Sequence, residues 1–118
     1  MGPIRTFRDL IAWQRGMELA REVYQATARM PESERFGLIN QMRRAAVSVP
    51  SNIAEGYGRQ STREYLKFLR IARGSLAELM TQVELATTLP MSLESARLTA
   101  LLEEEDRVLQ GLIRSLDR

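Results

Sequence analysis

Apolar residues recur along this chain at steps of three and four, the repeat of a helix that buries one side. Nowhere do β-branched residues alternate with polar ones in the period of a half-buried strand. The first such pattern predicts a helix from about Phe7 to Ala28, with Leu10, Trp13, Met17, Ala20 and Tyr24 as its core side. Met30-Pro31-Glu32-Ser33 interrupts it, because proline biases its predecessor away from helical backbone. A second helix is expected from Glu34 to Gly56 or Tyr57, with Ile39, Met42, Ala46, Val49 and Ile53 facing inward. Pro50 lies inside it and lacks the N–H that the Ala46 carbonyl needs, at a local cost of about 3 kcal/mol. Apolar and polar periodicities both carry across Pro50, so a bent but continuous helix is predicted.

Ser61-Thr62-Arg63-Glu64 reads as a capping box that starts a third helix. Tyr65, Leu69, Ala72, Leu76, Leu79, Val83 and Ala86 then hold an unbroken four-three alternation, the seam of coiled-coil-like packing. Leu89-Pro90-Met91 stops it, and Ser92 reads as the N-cap of a fourth helix reaching Leu116, apolar at Leu98, Leu101, Leu102, Val108, Leu109, Leu112 and Ile113. Four amphipathic helices with short connections predict an all-α fold, an antiparallel up-down-up-down four-helix bundle in which residues 1–118 form one domain.

Polar residues mark the second helix as more than a packing element. Arg44, Ser48, Asn52, Glu55 and Arg59 follow at steps of four, four, three and four, so they line one side of it. Asn52 is expected to project sideways and bond backbone or groups near Glu55. On the third helix Gly74, Ala77 and Thr81 form a smooth line of small residues, and Val47 and Ala54 lie away from the apolar seam of the second. Small residues in line allow another helix to approach closely, which predicts self-association.

Charge sharpens this picture. Net charge is only +2, but residues 1–75 carry 13 basic against 7 acidic groups and residues 76–118 carry 4 against 8. Arg43, Arg44, Arg59, Arg63, Lys67, Arg70 and Arg73 face only Glu55 and Glu64 in that stretch, a constellation suited to phosphate contacts. Tyr57 near the bend is expected to be exposed, where it can stack on an unpaired base. The alternative is that these arginines form ion pairs within or between chains.

Enzyme chemistry finds no purchase. There is no histidine and no cysteine, which removes the usual base, the thiol nucleophile and most transition-metal sites. Glu18 and Glu22 share a helix face without a histidine beside them, and Gly56-Tyr57-Gly58 lacks the strand and third glycine of a phosphate loop. No catalytic residue, cofactor, metal or small-molecule substrate is expected. No stretch is apolar enough to span a membrane and no apolar leader opens the chain, so the expected compartment is the cytoplasm. Glu105 is the anomaly: in helical projection it falls within the apolar stripe between Leu98 and Leu112, and an arginine or amide partner is expected for it.

The run Ser48-Val49-Pro50-Ser51-Asn52-Ile53-Ala54-Glu55-Gly56 carries a resemblance. So do Phe36-Gly37-Leu38 before it and Tyr65, Phe68-Leu69, Ile71-Ala72 and Gly74-Ser75-Leu76-Ala77-Glu78-Leu79 after it. With Leu10, Trp13 and Tyr24, the chain from about Phe7 to Thr88 resembles the four helix bundle proteins, or 23S rRNA-intervening-sequence proteins. The last helix resembles them in pattern only, and Met80 stands where the family tends to carry an acidic residue. The resemblance implies a four-helix bundle and a closed homo-oligomeric ring, commonly of five subunits. It also implies a partner among structured RNA or ribonucleoproteins, as in the similar accessory proteins of diversity-generating retroelements. Asn52, Glu55, Gly74 and Ala77 are the positions assigned to motif or assembly. The competing expectation is a protein–protein scaffold that never touches nucleic acid.

Overall fold

Each predicted stripe becomes a helix in the computed structural model, which describes residues 2–91, 93 and 96–117. Helix α1 spans Ile11–Thr27, α2 Leu38–Tyr57, α3 Thr62–Thr87 and α4 Ala96–Leu116, with single 3-10 turns at Phe7–Asp9 and Glu32–Glu34. Among the described residues there is no strand. Helix α1 packs on α2 and α4, α2 on α3, and α3 on α4, while the backbones of the diagonal pairs stay apart. Contacts fix the directions. Arg43 reaches Thr27 while Pro50 lies against Gly16, so α1 and α2 run in opposite senses. Ser48 meets Ser75 while Gly56 meets Phe68, which sets α2 against α3. Arg97 bonds Glu22 while Glu105 reaches Gly16, which sets α4 against α1. Leu19, Met42, Val49, Ile53, Leu69, Leu76, Leu79, Leu98 and Leu109 form the fully buried centre, each leucine worth roughly 1.5–3 kcal/mol of transfer from water.

Boundaries shift where local chemistry competes. The chain enters through a 3-10 turn in which the Asp9 carboxylate accepts from the backbone N–H groups of Arg5 and Thr6, so α1 begins at Ile11 and not Phe7. Those two donors hold Asp9 below the ordinary carboxylate range. The second helix starts at Leu38 because Glu32–Glu34 closes a separate 3-10 turn after Pro31. Ser61 Oγ accepts from the Glu64 N–H at 3.1 Å, which is the serine half of the box expected at the start of α3; the Glu64 carboxylate does not reach back to the Ser61 N–H. Ser92 lies outside the described residues.

Leu10 is buried as expected, but beyond it helix α1 overturns its expected core side. Its buried residues are Ala12, Gly16, Leu19, Val23, Ala26 and Thr27. Trp13, Met17 and Ala20 are half-buried, and Tyr24 is 46% exposed. The buried set keeps its own four-three-four-three spacing, one position back from the expected one. Small residues there let α1 approach both neighbours closely, and the larger side chains are turned outward.

Helix α2 continues through Pro50, with Pro50 itself buried. Asn52 lies two residues past Pro50, and its Nδ2 donates to the Ser48 carbonyl at 2.8 Å and to Ser48 Oγ at 2.9 Å. Ser48 Oγ in turn shares a hydrogen bond of 2.8 Å with Ser75 Oγ on α3. The polar ladder is therefore partly a hydrogen-bonded seam between α2 and α3. Gly56 closes that seam, since a Cβ there would lie 2.7 Å from Phe68 Cβ, closer than side chains pack.

Candidate functional site

The seven basic residues do not form one patch. With Ser48 level with Ser75 and about 1.5 Å rise per residue, Arg43 and Arg63 lie roughly 25 Å apart along the bundle. Arg59, Arg63, Lys67 and Arg70 cluster near the α2–α3 turn, whereas Arg43 and Arg44 lie toward the opposite end. Several are already engaged. Arg59 bonds Glu55 at 3.2 Å and stacks over the Phe68 ring at 4.8 Å. Arg70 bonds Asp117 at 2.7 Å and Arg73 bonds Asp106 at 3.1 Å, both across to the α4 end of the chain. Arg43 donates to Thr27 Oγ1 at 2.9 Å and lies 4.6 Å from the Tyr24 ring centroid. Among the described residues, Arg44, Arg63 and Lys67 have no acidic partner.

Tyr57 corrects another expectation. It is half-buried against the core and packs edge-to-face on Tyr65, with centroids 6.0 Å apart at 86°. Its ring is therefore not offered to an unpaired base. The Tyr65 hydroxyl is buried without a partner, and burial pushes it up to about 12.

Two outer faces are shaped for contact. Between α1 and α2 runs an apolar groove lined by Trp13, Met17, Ala20, Val47, Pro50 and Ala54. The outward side chains of α1 form one wall of it, and Val47 is 43% exposed. Between α3 and α4 lies a second groove, lined by Arg70, Arg73, Gly74, Ala77, Met80 and Ile113. Because the helices pack in the cyclic order α1, α2, α3, α4, these grooves lie on opposite sides of the bundle. Gly74, Ala77 and Thr81 are exposed on the second face as the spacing predicts.

The seam between α1 and α4 is electrostatic. Arg97 bridges Glu22 at 3.0 Å and Glu18 at 3.4 Å, Arg15 bonds Glu18 at 3.2 Å, and Arg15 also pairs with Glu104. Glu18 and Glu22 thus hold an arginine, and among the described residues no cluster of acidic groups converges as metal ligands. Beneath these pairs Glu105 is 0% exposed. The partner expected for it is missing: neither oxygen accepts a hydrogen bond. Burial, reinforced by Glu104 and opposed by Arg15, pushes its carboxyl up to about 9. Space for it comes from Gly16, where a Cβ would lie 2.9 Å from Glu105 Oε2. A carboxyl within an apolar stripe is the sequence signal for this site, and the mid-helix glycine that makes room for it is a second, hidden because the apolar stripe expected on α1 passes beside it.

Among the described residues, no helix is long and apolar enough to cross a membrane. No curated protein matches the chain. The model of the family described as 23S rRNA-intervening sequence protein matches residues 8–113, which takes in all of α1, α2 and α3 and most of α4. A match of that extent, on a four-helix fold, means that the chain belongs to the 23S rRNA-intervening sequence protein family.

Proposed function

We propose that copies of this chain associate through unlike faces, the α1–α2 groove of one against the α3–α4 groove of the next. The assembly binds structured RNA or a ribonucleoprotein partner in the cytoplasm and catalyses no reaction. The observation that carries the self-association is the outward stripe of α1. Trp13, Met17 and Tyr24 leave apolar surface uncovered beside Val47, while Ala12, Gly16, Leu19, Val23 and Ala26 fill the core side. Contact between two different faces on opposite sides of a subunit generates a ring when the rotation closes, and five subunits is the number the resemblance suggests.

Nucleic-acid contact rests on the positive end. Arg63 and Lys67 sit exposed beside each other at the start of α3, without acidic partners among the described residues, and Arg44 is free farther along. Arg59, Arg70 and Arg73 join only where phosphate displaces Glu55, Asp117 or Asp106. Each phosphate neutralised on a single strand contributes about 0.7 to the logarithmic salt slope, so Arg63→Ala with Lys67→Ala flattens it by about 1.4. Binding titrations of wild type and double mutant against structured and single-stranded RNA over a range of salt check this. RNA affinity that ignores salt, or is unchanged in the double mutant, favours the second reading. In that reading the protein is a protein–protein scaffold, and the support for it is that three of the seven cations already hold carboxylates.

A further inference from the structure

The carboxyl of Glu105 meets two backbone peculiarities at one point. A Cβ placed on Gly16 would lie 2.9 Å from Glu105 Oε2 and 3.3 Å from Pro50 Cβ, so the acid, the glycine and the proline converge from α4, α1 and α2. Both Glu105 oxygens are buried and accept nothing, an arrangement heavily unfavourable to a charged carboxylate. Pro50 has no N–H, so the carbonyl of Ala46, one turn earlier, loses its helical donor in a fully buried part of α2. A buried carbonyl deprived of its helical donor and a buried carboxyl that accepts nothing are each costly alone. A carboxylic acid that keeps its proton has an O–H to give, and a carbonyl is what that O–H needs.

We propose that Glu105 is held as the neutral acid, that its O–H serves the Ala46 carbonyl set free by Pro50, and that Gly16, Pro50 and Glu105 form a proton-dependent latch joining α1, α2 and α4. Loss of that proton leaves a bare charge between three helices and drives α4 off α1. The charged groups around the latch are few. Helix α1 brings Arg15 and Glu18, which bond each other, and α4 brings Glu104, paired with Arg15, and Asp106. Helix α3 brings Arg73, held by Asp106, and α2 brings only uncharged residues at Ala46, Val49, Pro50 and Ile53. Arg15 is the sole cation opposing the neutral form, and it is shared between two carboxylates on the surface.

The raised carboxyl has a signed consequence. In the folded chain it titrates at about 9 against the ordinary 4.5, so the unfolded chain gives up its proton first as pH rises. Stability contributed by the neutral acid is fully present below 4.5 and is lost progressively toward about 9. Relative to Glu105→Gln, which does not titrate, the folding constant of the wild-type chain is expected to fall by about tenfold per pH unit within that window.

Urea unfolding of the two proteins across the window tests the protonation, and infrared spectroscopy reads it directly. At neutral pH the wild-type chain should show the carbonyl stretch of a protonated carboxylic acid, and Glu105→Gln should lack it. Parallel pH profiles, or no such band, overturn the neutral acid. Pro50→Ala returns an N–H to Ala46 and should shift the band to the higher frequency of an acid without an acceptor. A band that does not move, or one that already lies at that frequency in the wild-type chain, overturns the assignment of Ala46.

Discussion

Helix α1 has two apolar sides, and they differ in a way that runs against the usual expectation of size. The inner side is Ala12, Gly16, Leu19, Val23 and Ala26, mostly small and fully enclosed. The outer side is Trp13, Met17, Ala20 and Tyr24, larger and only partly covered. A bundle helix with one job puts its bulk inward, because buried area is what stabilises it. Here the small inner side gains close approach, with Pro50 and the Glu105 carboxyl brought against Gly16. The outer side keeps its area for another surface. One side of α1 should therefore govern folding and the other association, and substitutions on each should read out differently.

The largest expected effect is on the inner side. Leu19→Ala removes a fully buried side chain and should lower unfolding free energy by about 3 kcal/mol in urea titrations, with the outer groove left intact. Glu105→Leu should act in the opposite sense, stabilising by about 2 kcal/mol near neutral pH, since the folded wild-type chain must there hold a proton that the unfolded chain gives up. That gain should grow as pH rises from 4.5 toward about 9 and turn into a small loss in acid, where the wild-type acid keeps its proton without cost and holds its bond to the Ala46 carbonyl. Gly16→Ala should cost about 1–2 kcal/mol despite the better helix propensity of alanine, as its Cβ meets Glu105 Oε2 at 2.9 Å and Pro50 Cβ at 3.3 Å. The smallest change in single-chain stability, within about 0.5 kcal/mol, is expected for Met17→Glu on the outer side. In that variant, thermal unfolding should lose its dependence on protein concentration, the mark of an association that no longer forms.

Much of the fold was legible because periodicity survives in single residues. The α3 seam is buried as its spacing predicts at Leu69, Ala72, Leu76, Leu79, Val83 and Ala86, with its first member Tyr65 only half-buried, and α2 carries its pattern unbroken through Pro50. The buried side of helix α1 lies one position from the predicted one because the helix has two valid four-three stripes, and the one with tryptophan and tyrosine outweighs the one with two alanines and a glycine beside Leu19 and Val23. Only packing against α2 and α4 decides between them. Seven cations close in sequence became two groups and several ion pairs, since their partners Asp106 and Asp117 arrive from the far end of the chain. The small residues Gly74 and Ala77 were placed correctly on an outer face by spacing alone. The missing partner of Glu105 was invisible for a different reason. A carboxyl within an apolar stripe signals burial, but whether an arginine reaches it depends on helices distant in sequence, and here Arg15 turns to the rim to meet Glu18 and Glu104.

The claim that α1 keeps its outer side for another copy is tested most directly by the mass of the protein in solution. Light scattering at micromolar concentration should give a multiple of the 13.5 kDa chain, five-fold for the proposed ring, and Val47→Glu should reduce it to one chain. A wild-type mass of 13.5 kDa, unchanged on raising the concentration, would contradict the account.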